Sequence, residues 1–393
     1  MIEIIDKGKC CGCHGCTSVC PKSCISMEVD NEGFWYPKVD LNHCIDCHLC
    51  EKVCPILEVP KKKEEFKLLT YACKNKDSEI RRESSSGGIF SLLCEYVISY
   101  GGVVFGASYN EEFEVRHTYV ETLQECQQFR NSKYVQSKIS DTYKQVKSFL
   151  NQGRIVIFSG TPCQIEGLSG YLRKDYSNLI KIDIACHGVP SPKIYKKYIS
   201  SLEQEYQSKL INLYFRNKDT GWNTYSFKAE FENGQVKQEL GYDNIYMKGF
   251  LKDIYLRPSC FECKFKKPHT TADVTLGDYW GVKGIHPEFT DENGISLIFI
   301  HSQKGKDIFD QISINLEVLE SDFEYATKCN PCIVRHVPAQ PKRKEFFELL
   351  DQGMELDKAI EKCIKPTFMQ IVKGKGYGAL IKGKRAMKKV IGK

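Results

Sequence analysis

Cys10-x2-Cys13-x2-Cys16-x3-Cys20-Pro21 and Cys44-x2-Cys47-x2-Cys50-x3-Cys54-Pro55 repeat one pattern, the second run starting 34 residues after the first (position 44 against position 10). Such spacing suits cluster ligation. Three thiolates on one tight loop meet three irons of a cube, and the fourth, on the turn that follows, points to a neighbouring cube. The expected sets are Cys10, Cys13 and Cys16 with Cys54, and Cys44, Cys47 and Cys50 with Cys20, each holding a [4Fe-4S] cluster. Gly12 and Gly15 let the first loop wrap closely, and the prolines stop the turns. A zinc site needs four ligands and no duplicated eight-cysteine pattern. Two adjacent clusters move single electrons; they form a wire and not a catalyst. Cys11 and Cys24 fall off the pattern, and Cys24 reads as a small buried residue packed near a cluster.

Four more cysteines have unusual neighbours. Cys163 lies in Ser159-Gly160-Thr161-Pro162-Cys163-Gln164, Cys186 in Asp183-Ile184-Ala185-Cys186-His187-Gly188, and Cys260 and Cys263 form a CxxC after Arg257-Pro258. Cys163 and Cys186 each follow an apolar, strand-like segment. Cysteines at the carboxyl ends of adjacent strands converge where α/β sheets bind ligands, so four thiolates could hold a third cube there. Spacing leaves rivals open: a Cys163–His187 nucleophile pair, a redox CxxC, buried cysteines, or a zinc ribbon pairing Cys260/Cys263 with Cys329/Cys332. Cys73, Cys94, Cys126 and Cys363 stand alone and read as structural.

Single-electron carriers fed by two-electron chemistry need a splitter, and a flavin is the economical one. Ser84-Ser85-Ser86-Gly87-Gly88 precedes a helical pattern starting near Ile89, an arrangement that suits a phosphate at a helix N-terminus but more often is a simple cap. Gly277-Asp278-Tyr279-Trp280-Gly281 adds a carboxylate and an aromatic ring after a strand, with a packed Trp beside a turn as the equal alternative. No GxGxxG follows a strand, and Gly374-x-Gly376-x-Gly378 sits in a basic tail, so a Rossmann dinucleotide site is unsupported.

The elements that must position these groups follow from periodicity. Residues 1–57 read as a strand (Ile2–Ile5), a Cys loop, a turn at Asp30-Asn31-Glu32-Gly33, a strand (Phe34–Val39) and a second Cys loop, which is an α+β ferredoxin-like domain built by duplication. Residues 58–68 read as a charged linker. From 69 to 345 a larger α/β domain follows, in an N-terminal part (69–152) and a C-terminal part (153–345). Its expected strands are Val103–Phe105, Ile155–Phe158, Ile182–Ile184, Tyr225–Phe231, Val274–Leu276 and Ile295–Ile300, with helices at Ile89–Tyr100, Ser140–Leu150 and Ile194–Gln204. Residues 346–393 form a C-terminal helix (a helical pattern over 344–365) and a basic tail. Its Ala379–Ile391 stretch could lie as an amphipathic helix on a membrane or an anionic partner, a solvated tail being the commoner outcome.

The chain has 393 residues and twenty cysteines, with no apolar run long enough to span a bilayer and no signal peptide at MIEIIDKGKC. A cytoplasmic setting is expected, where clustered CxxC spacings hold metal more often than disulfides. The formal charge of +6 counts every thiol as neutral. A [4Fe-4S] core on four thiolates carries about −2, so three would offset that excess. Nothing points to nucleic acid.

In order along the chain, Ser86-Gly87-Gly88-Ile89-Phe90, Ser132-Lys133-Tyr134-Val135-Gln136-Ser137, Phe158 through Gln164, Cys186 through Pro192, Phe215-Arg216-Asn217-Lys218, Gly221-Trp222, Arg257-Pro258-Ser259-Cys260 and Asp273 through Gly281 resemble the coenzyme F-420 hydrogenase/dehydrogenase beta-subunit family. The likeness is to bacterial members with a fused N-terminal 2[4Fe-4S] ferredoxin domain. It implies an FAD-containing α/β domain with a third [4Fe-4S] cluster on Cys163, Cys186, Cys260 and Cys263. It further implies a flavin site lined by Ser86, Gly87, Gly88, Lys133, Tyr134, Gly160, Thr161, Gly277 and Asp278. The implied activity is an oxidoreductase passing electrons from a reduced deazaflavin (coenzyme F-420) or other small-molecule donor, through FAD and the clusters, to a redox partner protein or ferredoxin. Alternatives are a ferredoxin-linked reductase in surface-polysaccharide biosynthesis and a non-catalytic electron-transfer subunit. No catalytic acid or base is assigned; His187 is a candidate proton donor that reads better as a neighbour of the cluster.

Overall fold

The computed structural model describes residues 1–58, 66–266 and 270–365. The basic tail with its Ala379–Ile391 stretch, and residues 59–65 of the expected linker, lie outside the described residues.

Asp30 organises the N-terminal part. Its carboxylate accepts the backbone N–H groups of Glu32 (3.0 Å) and Phe34 (2.9 Å), and Gly33 takes φ 91°. This Asx-type turn joins β1 (Ile25–Val29) to β2 (Trp35–Val39), which pair antiparallel along their whole length. The strand expected at Ile2–Ile5 does not form. β2 already has its partner in β1, so Ile2 is instead buried with its N–H on Cys50 Sγ (3.2 Å), while Ile5 is 90% exposed. The two Cys loops share a backbone signature. Gly12 and His14 in the first, and the equivalent Asp46 and His48 in the second, have φ of 66°, 64°, 48° and 56°. Each loop then runs into a short helix, Gly15–Val19 and Leu49–Lys52.

The larger part contains β3 (Leu69–Asn75), β4 (Val103–Tyr109), β5 (Val115–Val120), β6 (Val156–Gly160), β7 (Leu179–Ile184), β8 (Leu210–Asn217), β9 (Ser226–Phe231), β10 (Val236–Leu240), β11 (Val274–Asp278), β12 (Ser296–Ile300) and β13 (Leu316–Glu320). Eight of them form one sheet in the order β13-β3-β12-β11-β7-β6-β4-β5. The middle four, β11, β7, β6 and β4, run parallel, and the flanking strands are antiparallel to their neighbours. The sheet is therefore mixed. Helices Ile89–Ser99, Thr142–Asn151 and Pro162–Leu172 pack on it, and strands such as Val103–Phe105 and Val156–Phe158 are wholly buried. Each fully buried Phe or Ile there contributes roughly 1.5–3 kcal/mol. A second sheet, β10-β9-β8, carries helix Pro192–Tyr206. The helical pattern over 344–365 resolves into two helices, Arg343–Asp351 and Leu356–Ile364, parted at Gly353 (φ 88°).

The N-terminal part is docked on the larger one at several points. Arg343 forks onto the Glu32 carboxylate at the hairpin tip, and Lys193 Nζ donates to the Asn31 carbonyl (2.6 Å). On the helix Pro162–Leu172, a Cβ at Gly170 would lie 2.3 Å from the Val53 carbonyl oxygen, and one at Gly167 2.7 Å from Cys13 Cβ. Only glycine permits that approach. The helix that carries Cys163 on its first turn is thus pressed against the first Cys loop.

Candidate functional site

The fold brings the expected N-terminal ligands together in their swapped pairing. Cys54 stands with Cys10, Cys13 and Cys16 close enough for their charges to interact. Cys20 lines one hollow with Cys44, Cys47 and Cys50. Cys24 is buried in the same hollow, its Sγ 3.3 Å from Cys20 Sγ. The first set is desolvated, and burial pushes the Cys10, Cys16 and Cys54 thiols up. The second lies at the surface, with Cys47 exposed. All twenty cysteines are unbridged.

The third set sits at the carboxyl edge of the parallel strands. β6 ends at Gly160, and Thr161 caps the next helix through a reciprocal pair in which the Thr161 N–H donates to Gln164 Oε1 (3.0 Å). Pro162 fits the first helical position, which sets Cys163 on the opening turn. β7 ends at Ile184 and delivers Cys186 two residues later. Cys260 comes from the short helical turn Pro258–Glu262, and Cys263 follows it. Cys163, Cys186, Cys260 and Cys263 line one small hollow. A fifth thiol completes its wall. Cys11 reaches it from the N-terminal part, in hydrogen-bonding contact with both Cys13 and Cys163. The Cys10-Cys11 doublet was the one signal in the chain that could have marked it.

The surroundings fit an anionic cluster. Lys266 donates to the carbonyls of Cys186 and Cys332 (2.6 Å to the latter), and Arg257, wholly buried, borders the hollow. Among the described residues, no three His, Cys, Asp or Glu converge as a single metal ion requires; the thiols ring a hollow, as ligands on the corners of a cube do. Cys329 and Cys332 belong to a different wall, so the fold does not assemble Cys260/Cys263 with them as a ribbon. Nor does it make a Cys163–His187 couple: His187 Nε2 bonds Asp253 (2.6 Å), while the Cys163 thiol meets Thr161 Oγ1 (3.1 Å) and Cys11.

Beside the hollow opens a cavity of about 780 Å³, lined by Ser86, Gly88, Lys133, Tyr134, Gly160, Thr161, Gly277 and Asp278. Of the expected flavin residues only Gly87 is turned away. It packs against the sheet, its N–H on Ser296 Oγ (2.9 Å), where a Cβ would lie 2.6 Å from the Cys73 carbonyl. Lys218 staples the Ser loop from below, donating to the carbonyls of Arg81, Ser86 and Asn293 at 2.6–2.7 Å. Asp278 is engaged: it accepts from Arg216 Nη1 (2.9 Å) and Trp222 Nε1 (2.9 Å). Trp280 stacks on Trp222 (centroids 4.9 Å, 4° apart), with the Arg216 guanidinium over its ring. Arg216 lies in one of the strings that carry the resemblance but was not among the expected flavin residues. Lys133 Nζ donates to the Arg130 carbonyl (2.9 Å), and burial pulls its pKa down to about 7.

Residues 153–324 match the family model for the C-terminal part of the coenzyme F-420 hydrogenase/dehydrogenase beta subunit. No curated protein matches the chain. Among solved structures it is similar to a chain of the F-420-reducing [NiFe] hydrogenase complex from Methanosarcina barkeri, at 17% identity over 75% of this chain and 97% of that one, with a TM-score of 0.46. No helix among the described residues is long and apolar enough to cross a membrane. Over residues 153–324, somewhat under half of its length, the chain is thus similar to the C-terminal part of the coenzyme F-420 hydrogenase/dehydrogenase beta subunit.

Proposed function

We propose that the chain is an iron–sulfur flavoprotein oxidoreductase that relays electrons between a small-molecule donor in the large cavity and a protein partner at the exposed N-terminal Cys set. One observation carries the reading. Cys186 and His187 line both the cavity and the thiol hollow, and Cys11 joins that hollow to Cys13 of the first set. The order is therefore cavity, third set, first set, second set, surface.

Bound flavin would supply the exchange between two-electron and one-electron chemistry. The chain's own residues bind and orient. The helix Ile89–Ser99 starts at Gly88 without a side-chain cap, and Ile89, Phe90 and Ser91 border the cavity. Its first N–H groups suit a phosphate, and Lys133 adds a cation on the same wall. Arg216, held by Asp278, keeps Trp280 in place. Cys163, Cys186, Cys260 and Cys263 would hold the third cluster, with Lys266 and Arg257 against its charge. The His187–Asp253 pair stands at the mouth shared by hollow and cavity, where it could pass a proton.

Iron, sulfide and flavin content after anaerobic purification test this directly. About twelve Fe with one FAD per chain is expected. Eight Fe without flavin would leave only a two-cluster carrier. Reduced F-420 and reduced ferredoxin, offered separately, then identify the donor by flavin bleaching.

A further inference from the structure

Among the described residues, Arg257 is the largest fully buried side chain, at 0% exposure. Its Nε donates to the Cys10 carbonyl (2.8 Å), Nη1 to Gln136 Oε1 (3.0 Å), and Nη2 to the Trp35 carbonyl (2.8 Å), with Cys10 Sγ 3.7 Å away. The rings of Phe34 and Tyr36 lie 5.3 and 4.4 Å from the guanidinium carbon. Among the described residues, no carboxylate pairs with it. A permanently charged guanidinium is strongly unfavourable to bury without an anion. Neutral carbonyls and aromatic faces solvate it but leave its charge uncompensated. The anions within reach are thiolates, with Cys10 of the first set on one side and the hollow of Cys163 and Cys260 on the other.

We propose that Arg257 is the shared counter-ion of the first and third clusters and sets their reduction potentials above that of the second. This rests on reading the thiol sets as iron–sulfur centres. Adding an electron makes a cluster more negative, so a buried cation beside it favours the reduced form and raises its potential. Among the described residues, the second set has no such buried cation. The N-terminal amine near it is exposed and already paired with Asp46 and Glu51, and Lys22 is exposed, so solvent screens them. The arrangement makes the two inner centres a matched pair, and an electron reaching them leaves through a lower-potential outer centre only when the partner draws it.

The test is an anaerobic EPR-monitored redox titration of the whole chain, with iron content measured on the same samples. In Arg257→Met the midpoints of the first and third clusters fall while the second stays put; Arg257→Lys keeps all three near wild type. Gln136→Glu sets a carboxylate against the guanidinium and lowers the same two midpoints without removing the arginine, which keeps the test open if Arg257→Met does not accumulate. Wild-type protein without three iron–sulfur signals overturns the underlying reading and the proposal with it. Full iron content with unmoved inner midpoints in Arg257→Met or Gln136→Glu overturns the role of Arg257 alone, as does an equal shift of all three.

Discussion

The thiol of Cys11 touches the thiol of Cys163, joining the first N-terminal Cys loop to the helix that follows β6. The contact ties the two halves of the chain together: a residue outside the ferredoxin-type pattern lies between the set it borders and the set at the sheet edge.

Cys11 neighbours two of the proposed ligand sets and is assigned to neither. Cys11→Ser is expected to keep the wild-type iron content, whereas Cys163→Ser or Cys260→Ser loses about four Fe per chain. Colorimetric iron and sulfide assays on anaerobically purified variants read this out. Loss of iron in Cys11→Ser would place it among the ligands.

The glycine face of the Pro162–Leu172 helix holds the two halves in contact. Gly170→Ala forces a Cβ against the Val53 carbonyl and is expected to cost about 1–3 kcal/mol, lowering the Tm. In the intact chain it should also slow reduction of the N-terminal clusters through the cavity, measured by stopped-flow absorbance. Unchanged stability and rate would mean that the interface shifts freely.

Arg343 and Glu32 form a forked, mostly buried ion pair between the helix Arg343–Asp351 and the hairpin tip, with side chains 15% and 17% exposed. Truncating either leaves the other charge half-buried and unpaired. Arg343→Ala is expected to cost about 1–3 kcal/mol in denaturant unfolding. A double-mutant cycle with Glu32→Ala should recover part of that loss; strict additivity would show that the pair is not coupled.

Lys133 sets a pH dependence. Burial lowers its pKa from 10.5 to about 7, so the amine is charged below pH 7 and neutral above. Retention of a phosphate-bearing flavin should weaken as pH rises from about 6 to 8. Lys133→Met should bind weakly and lose most of that dependence. Flavin affinity by fluorescence quenching across this range decides it, and a flat wild-type profile would detach Lys133 from the phosphate.

Much of the site was legible because its chemistry is local in sequence. The x2-x2-x3 spacing determines which thiols share a loop and which points away, and the structure groups Cys54 with the first run and Cys20 with the second. The apolar run Ile155–Phe158 marked β6, as expected of a strand buried on both faces, and Ile182–Ile184 marked the end of β7 although Lys181 and Asp183 interrupt its apolar residues. β1, β3, β5, β8, β10 and β13 were not legible. All but β3, which lies between β13 and β12, are edge strands whose short mixed patterns acquire meaning only from a ladder partner, and the same lack of a partner left Ile2–Ile5 without a strand.

The sequence by itself determined the ligand types, their local spacing and the strand ends that carry them. Tertiary structure alone decided which thiols meet across the chain. Cys11 lies on Cys163 because Gly167 and Gly170 let one helix come within backbone distance of the first Cys loop. Arg257 lies between two thiol sets because the docking of the hairpin buries it there. Both depend on the close approach of segments far apart in sequence, which no local pattern encodes.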